Sequence, residues 1–249
     1  MTVYLAGTEG QDEIFTNSVK PWREIAMLQS YYYLRTKKEA HIPDRFLLDS
    51  GAFTFIVGDK SKQVNWDEYV DQYAAFVKKH NVRRYFELDI DVIVGYDRVK
   101  QLRARLESQV GWPSIPVWHK FRGKDKFLEM VDQYKYVAIG GIVSKEIRPD
   151  NYKFFPWFIN EAHKRGVKIH GLGFTSLAGL MRCHFDSVDS TTWLVGDRFS
   201  NICRFECVKG KWQMTQTHLY GKRCKDVAQL RQFNFNQWVR FQEYAETHL

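Results

Sequence analysis

The feature that most limits how this 249-residue chain can fold is a repeated change of hydrophobic period. Short apolar segments alternate with longer amphipathic ones. The strand candidates are VYLAG (3–7), RFLLDS (45–50), RYFELDI (84–90), IPVWH (115–119), YVAIGG (136–141), VKIHGLG (167–173) and FDSV (185–188), with ICRFEC (202–207) as an eighth. The plainest helix is NWDEYVDQYAAFVKKH (65–80). Trp66, Tyr69, Val70, Tyr73, Phe76 and Val77 recur there at helical spacing, and Asn65 with Glu68 has capping-box spacing. Further helices are expected at 22–35, 97–110, 124–134, 151–165 and 175–183. Such alternation implies a parallel sheet joined by helical crossovers. Eight strands predict an α/β fold of one domain over residues 1–249, a single (β/α)8 TIM-type barrel. An open doubly wound sheet is the alternative, but no GxGxxG opens a first helix.

Composition narrows the function classes. Hydrophobic residues make up 44% and aromatics 16%, enough for a large core and too many for a disordered chain. No apolar run approaches the roughly 20 residues needed to cross a bilayer, so no membrane partner is expected. The start, MTVYLAGTEGQDEIF, lacks the basic and apolar regions of a signal peptide, which predicts a soluble, cytoplasmic protein. Cys183, Cys203, Cys207 and Cys224 form no CxxC pair, so reduced thiols and no metal are expected. Lys+Arg exceed Asp+Glu by 37 to 29, a balance that suits a polyanionic partner. HKFRGKDK (119–126) and YGKRCK (220–225) are the densest basic stretches.

In a barrel the active site forms at the C-terminal ends of the strands, and those ends are polar or glycine-rich here. They hold Asp49-Ser50-Gly51, then Asp89 and Asp91, His119, Gly140-Gly141, Gly171 with Gly173, and Asp186. Turn chemistry explains any one of these alone, and less readily the series. In FELDID a period of two puts Glu87, Asp89 and Asp91 on one face. If β-structure runs through Val188, Asp186 shares a face with that valine and Asp189 takes the other.

In order, these segments resemble the guanine transglycosylase family, enzymes that exchange guanine in nucleic acid for a 7-deazaguanine. LDSGAF (48–53) is similar to its Asp-Ser-Gly-Gly-aromatic motif, and ELDID (87–91) to the stretch with its base-reading aspartate. YVAIGGIVSKE (136–146) is similar to its Ala-Ile-Gly-Gly-Leu segment with a later glutamate. HGLGFTS (170–176) is similar to its Met-Gly-Val-Gly-Thr-Pro turn, and FDSVDST (185–191) to Phe-Asp-Cys-Val-x-Pro-Thr.

The resemblance implies Asp186 as the nucleophile, with Asp189 as its rival, and Asp49 as the acid/base. It implies Phe53 stacking on the base and Asp89, with Asp91 nearby, reading the guanine edge. Gly140, Gly141 and Ile142 would contact the base through backbone groups, beside Gly173. His119 or Trp118 stands where the family has a glutamine. The C-terminal zinc cluster of the tRNA-directed enzymes is missing, and VDSTTW replaces Pro-Thr-Arg. These departures point to the compact, zinc-free, DNA-directed branch of phages and bacterial modification islands. DNA is then the expected partner (tRNA the alternative) and a 7-deazaguanine base the co-substrate. No cofactor is expected; accessory modification proteins are candidate partners, and the host cytoplasm is the location for a phage-encoded chain. A barrel glycoside hydrolase and a non-catalytic nucleic-acid-binding barrel are the competing classes.

Overall fold

Seven short strands pair in parallel: β1 (Thr2–Ala6), β2 (Met27–Ser30), β3 (Phe46–Asp49), β4 (Val117–Trp118), β5 (Tyr136–Ile139), β6 (Lys168–Gly171) and β7 (Ser187–Ser190). Their order across the sheet is β3-β2-β1-β7-β6-β5-β4. The computed structural model describes residues 1–57, 64–219 and 226–249. The basic segment 220–225, with Cys224, lies outside the described residues. Helices α1 (Glu13–Thr16), α2 (Tyr31–Leu34), α3 (Ala52–Val57), α4 (Trp66–Lys79), α5 (Asp91–Val94), α6 (Tyr96–Val110), α7 (Gly123–Gln133), α8 (Phe155–His163), α9 (Leu177–Leu180), α10 (Val195–Phe199) and α11 (Val227–His248) complete the α/β fold, with an antiparallel hairpin of β8 (Asn201–Val208) and β9 (Lys211–His218).

Alternation along each strand builds two layers of core. Tyr4, Ala6, Leu28, Leu47, Val117 and Ala138 pack with Phe86 and Ile115 on the concave face. Their neighbours Val3, Leu5, Met27, Val137, Ile139, Ile169 and Val188 face outward. There they meet Phe127 and Met130 of α7, Phe158 and Ala162 of α8, and Trp238 and Phe241 of α11. Phe46 and Leu48 face α4 and α6. Both faces of a parallel sheet are thus covered. The sheet curls enough to bring the Phe86 and His170 rings within 5.3 Å across its concave side.

Among the described residues the sheet has seven strands where eight were expected, and the set differs. Residues 22–35 are not one helix: a 3-10 turn at Trp22–Glu24 leads into β2 and then the single turn of α2. RYFELDI forms no extended ladder. Its Tyr85 makes one parallel bridge to Leu48 of β3, and Phe86 makes one to Ile115, just before β4. ICRFEC pairs with β9 in the hairpin and stays out of the main sheet. The 175–183 helix shortens to α9, and 151–165 divides into a 3-10 turn and α8.

The longest helix, α11, was not expected, because its buried face is partly polar. Asn234, Gln237 and Gln242 are buried there. Asn234 accepts from Cys203 N and donates to Asn201 O, and Gln237 accepts from Phe205 N. Gln242 accepts from Ala26 N and donates to the Val3 and Ala26 carbonyls. These amides satisfy strand-edge groups that would otherwise be buried unpaired, at a cost of about 1–3 kcal/mol each. They tie α11 to β1, the start of β2 and the hairpin.

Candidate active site

The C-terminal end of β3 places Asp49 on the concave face, because alternation sends Phe46 and Leu48 outward. The chain then turns sharply through Gly51 at φ +86°, where a Cβ would sit 2.5 Å from Tyr32 Cβ. The Gly51 amide donates to Asp49 Oδ2 at 2.9 Å, and Tyr69 Oη donates to the Ser50 carbonyl at 2.6 Å. Burial pushes the Asp49 carboxyl up to about 7, reinforced by the charges of Asp89 and Asp189. Asp49 therefore exchanges a proton near neutral pH, as an acid/base group requires.

The three acids of FELDID do not act as one face. Extended backbone ends at Ile90 (φ −101°, ψ 30°), and α5 begins at Asp91. Glu87 is fully buried, bonded to Arg103 (3.0 Å), Arg122 (3.3 Å) and the Val117 amide (2.8 Å). Asp91 pairs with the same Arg122 through both oxygens, so the structure ties it into a buried ion cluster instead of the strand-end site. Arg122 also lies over the Tyr96 ring at 4.3 Å. This cluster anchors the stretch between β3 and β4 where ladder hydrogen bonds are few. Only Asp89 turns to the site.

His119, just past β4, joins Asp89 to a further carboxylate. Its Nε2 lies 3.2 Å from Asp89 Oδ2 and its Nδ1 3.0 Å from Glu146 Oε2. Burial alone would lower its pKa, but the hydrogen bonds to the two acids outweigh this and raise it to about 9. Burial likewise opposes ionisation of Glu146, and the His119 contact overrides it, so Glu146 falls below its ordinary value. Both shifts describe an imidazolium donating from both nitrogens. The Gly140-Gly141 pair makes room for it: a Cβ on Gly140 would lie 2.8 Å from His119 Cε1, and one on Gly141 2.8 Å from Glu146 Oε2. Ile142 packs against the outer core. Phe121 stacks on the His119 ring at 5.5 Å, and its amide donates to Glu146 Oε1.

Of the two aspartates of FDSVDST, Asp186 immediately precedes β7 and Asp189 lies within it. Ser187 and Asp189 face the concave side; Val188 faces the helices. Asp189 Oδ1 lies 3.1 Å from His170 Nε2 and accepts from the Gly173 amide at 2.9 Å. Asp186 precedes the first residue of β7, at the opposite end of the sheet from Asp49. Its Oδ2 accepts from the Ile169 amide (2.8 Å) and contacts His163 Nε2 (2.9 Å). It borders an open outer recess of about 310 Å³ with His163, Gly166, Val167 and Lys168. That recess offers a single carboxylate and an exposed histidine. The strand-end cluster instead holds Asp49, raised to about 7, and His119, raised to about 9, and such shifted groups mark a candidate site.

The structure therefore brings Asp49, Asp89, His119, Gly140, Gly141, Gly173 and Asp189 to one end of the sheet. Phe53 follows on α3, 49% exposed. Asp186 and Asp91 point elsewhere, and only the side chain of Ile142 turns to the outer core. The site also includes residues absent from the sequence-based set: Glu146, His170, and Glu9, which accepts a hydrogen bond from the Ser30 amide and whose pKa burial raises. Glu146 has a signal within YVAIGGIVSKE; Glu9 and His170 have none, since an acidic loop residue and a strand histidine are ordinary.

Among the described residues no three or more His, Cys, Asp or Glu side chains are arranged to hold a metal ion, and Cys183, Cys203 and Cys207 are free thiols. No described helix is long and apolar enough to cross a membrane. The arrangement brings Asp49, whose carboxyl is raised to about 7, together with Asp89 and Asp189 at one end of the sheet. No protein-family model matches the chain, and no curated protein matches it.

Proposed function

We propose that the protein exchanges guanine in DNA for a 7-deazaguanine base through a covalent aspartyl–sugar intermediate, with Asp189 as nucleophile in place of Asp186. The observation that carries this is the meeting of Asp49 at the end of β3, Asp189 near the end of β7 and Asp89 from the stretch between β3 and β4, with Asp49 holding its proton to about pH 7. The curled sheet, with residues 85 and 86 bridging toward both of its edge strands, is read as a barrel whose eighth position that stretch fills.

The chemistry balances on these groups. The C1′–N9 bond of the guanosine breaks with its electron pair passing to the purine, and Asp49 supplies the neutralising proton. A lone pair of Asp189 forms the C1′–O bond, which holds the sugar and keeps the strand intact. The incoming base then gives a proton to the Asp49 carboxylate, and its N9 displaces Asp189 from C1′ as a carboxylate. Two displacements retain configuration. Asp89, held by His119, accepts from the guanine N1 and N2 hydrogens, while exposed Phe53 and Phe121 (55%) offer stacking faces.

A base in duplex DNA must leave the stack, at a cost on the order of a few kcal/mol. Exposed Arg35, Lys37, Lys38, Lys120, Lys145, Arg148 and Lys153 lie in segments that follow strand ends and suit phosphate contacts, which position but do not read sequence. The test is incubation of the protein with radiolabelled guanine and duplex DNA, single-stranded DNA or tRNA. Label entering DNA supports the proposal, label entering only tRNA replaces the substrate, and sugar release without incorporation favours a hydrolase.

A further inference from the structure

The concave face holds a hydrogen-bonded chain that the exchange described above does not use. Tyr136 Oη on β5 bonds Ser187 Oγ on β7. Ser187 Oγ lies 2.7 Å from Nδ1 of His170 on β6, and His170 Nε2 lies 3.1 Å from Oδ1 of Asp189. His170 and Ser187 are buried, so their polar atoms must be satisfied by these partners. An ionised carboxylate only accepts, which sets the direction: His170 Nε2–H donates to Asp189. On its other side the ring's Nδ1 meets the Ser187 hydroxyl, which in turn bonds the Tyr136 hydroxyl. The Gly173 amide ends on the same Oδ1, and among the described residues Oδ2 accepts no hydrogen bond.

We infer that His170 is a positioning residue of the exchange reaction: backed by Ser187 and Tyr136, it holds Asp189 by Oδ1 so that Oδ2 is the oxygen that bonds C1′. This rests on the reading of Asp189 as nucleophile. The two donors on Oδ1 orient the carboxylate for the first displacement. They also receive the negative charge that returns to it in the second, when the C1′–O bond breaks with its pair on oxygen. Base recognition through Asp89 and His119 lies outside this chain, so the effect falls on kcat rather than on base binding.

The test compares His170→Phe, which keeps a ring packed against Tyr4 and Phe86, with His170→Gln, which restores an N–H at similar reach. With both variants shown folded by thermal melting, His170→Phe is expected to lower kcat about 30- to 100-fold and leave KM for the incoming base within about 2-fold. His170→Gln is expected to recover kcat to within about 5-fold of the natural protein. If His170→Phe does not fold, Ser187→Ala carries the test, with an expected kcat loss of about 3- to 10-fold at unchanged KM. Natural kcat in His170→Phe (or in Ser187→Ala where it stands in), beside an inactive Asp189→Ala, would overturn the positioning role while leaving the exchange reading intact. Equal losses in the folded Phe and Gln variants would overturn it too. Full exchange by Asp189→Ala would instead remove the reading on which it stands.

Discussion

Asp186, just before β7, and Asp189, within it, differ by three positions in the chain and by almost everything else in their surroundings. Asp186 sits at the start of the strand, on the helix side, clipped to the Ile169 amide and to His163 of α8. Asp189 sits toward the far end, on the concave side, against His170 and within electrostatic reach of Asp49. An odd separation along a strand reverses the face, and three residues at about 3.3 Å each move a side chain roughly 10 Å along it. The same residue type thus bonds a strand amide and a helix histidine at one end, and at the other joins the polar cluster on which the proposed chemistry rests. Position within the sheet, rather than identity or motif spacing, separates the two.

The sharpest way to break this comparison is to remove each aspartate in turn. Asp189→Ala is expected to lower base exchange by at least about 10³-fold, while Asp186→Ala stays within about 3-fold, both read by label incorporation. Asp49→Asn comes next, with a loss of about 10²- to 10³-fold, since it removes the proton donor. The exchange rate of the natural protein should correspondingly fall above about pH 7, where Asp49 loses its proton. Linkage has the same sign. With its folded value raised from 3.8 to about 7, Asp49 contributes fully to stability below about pH 4 and loses that contribution as pH rises through 7. Asp49→Asn should therefore be the more stable protein at pH 8 and gain nothing near pH 4, measured by urea unfolding.

A smaller effect is expected from His119→Gln, a rise in KM for the incoming base of about 10-fold with kcat less changed, because Asp89 loses its charged partner. His119 is raised from 6.5 to about 9, so its stabilisation is complete below about pH 6.5 and disappears as pH rises through 9. The Gln variant should lack that alkaline limb in urea unfolding. The smallest expected effect sharpens the comparison from the other side: Asp186→Ala should cost stability, about 1 kcal/mol for the lost bond to the Ile169 amide, with exchange nearly intact.

Much of this was legible in the sequence, for identifiable reasons. Strand–helix alternation pointed to a parallel sheet, and polar strand ends pointed to Asp49, Asp89 and His119. Alternation through Val188 also separated Asp186 from Asp189 by face. It did not say which face was concave, because both faces of the sheet are covered and the inward face of β7 is the polar one, with Ser187 and Asp189. The FDSV match to a family motif then drew attention to Asp186. β2 was hidden because MLQSYYYL interrupts its apolar and aromatic residues only at Gln29 and Ser30, and so short a run suits strand and helix equally. α11 was hidden because Asn234, Gln237 and Gln242 interrupt its apolar stripe; their role shows only when the strand edges they bond are present. The FELDID pattern failed because Ile90 turns the chain before alternation reaches Asp91.

The most direct measurement is intact mass, after denaturation, of protein incubated with guanine-containing DNA and no incoming base. The natural protein and Asp186→Ala should both carry a covalently attached strand, and Asp189→Ala should carry none. An adduct that survives in Asp189→Ala and vanishes in Asp186→Ala would contradict the account.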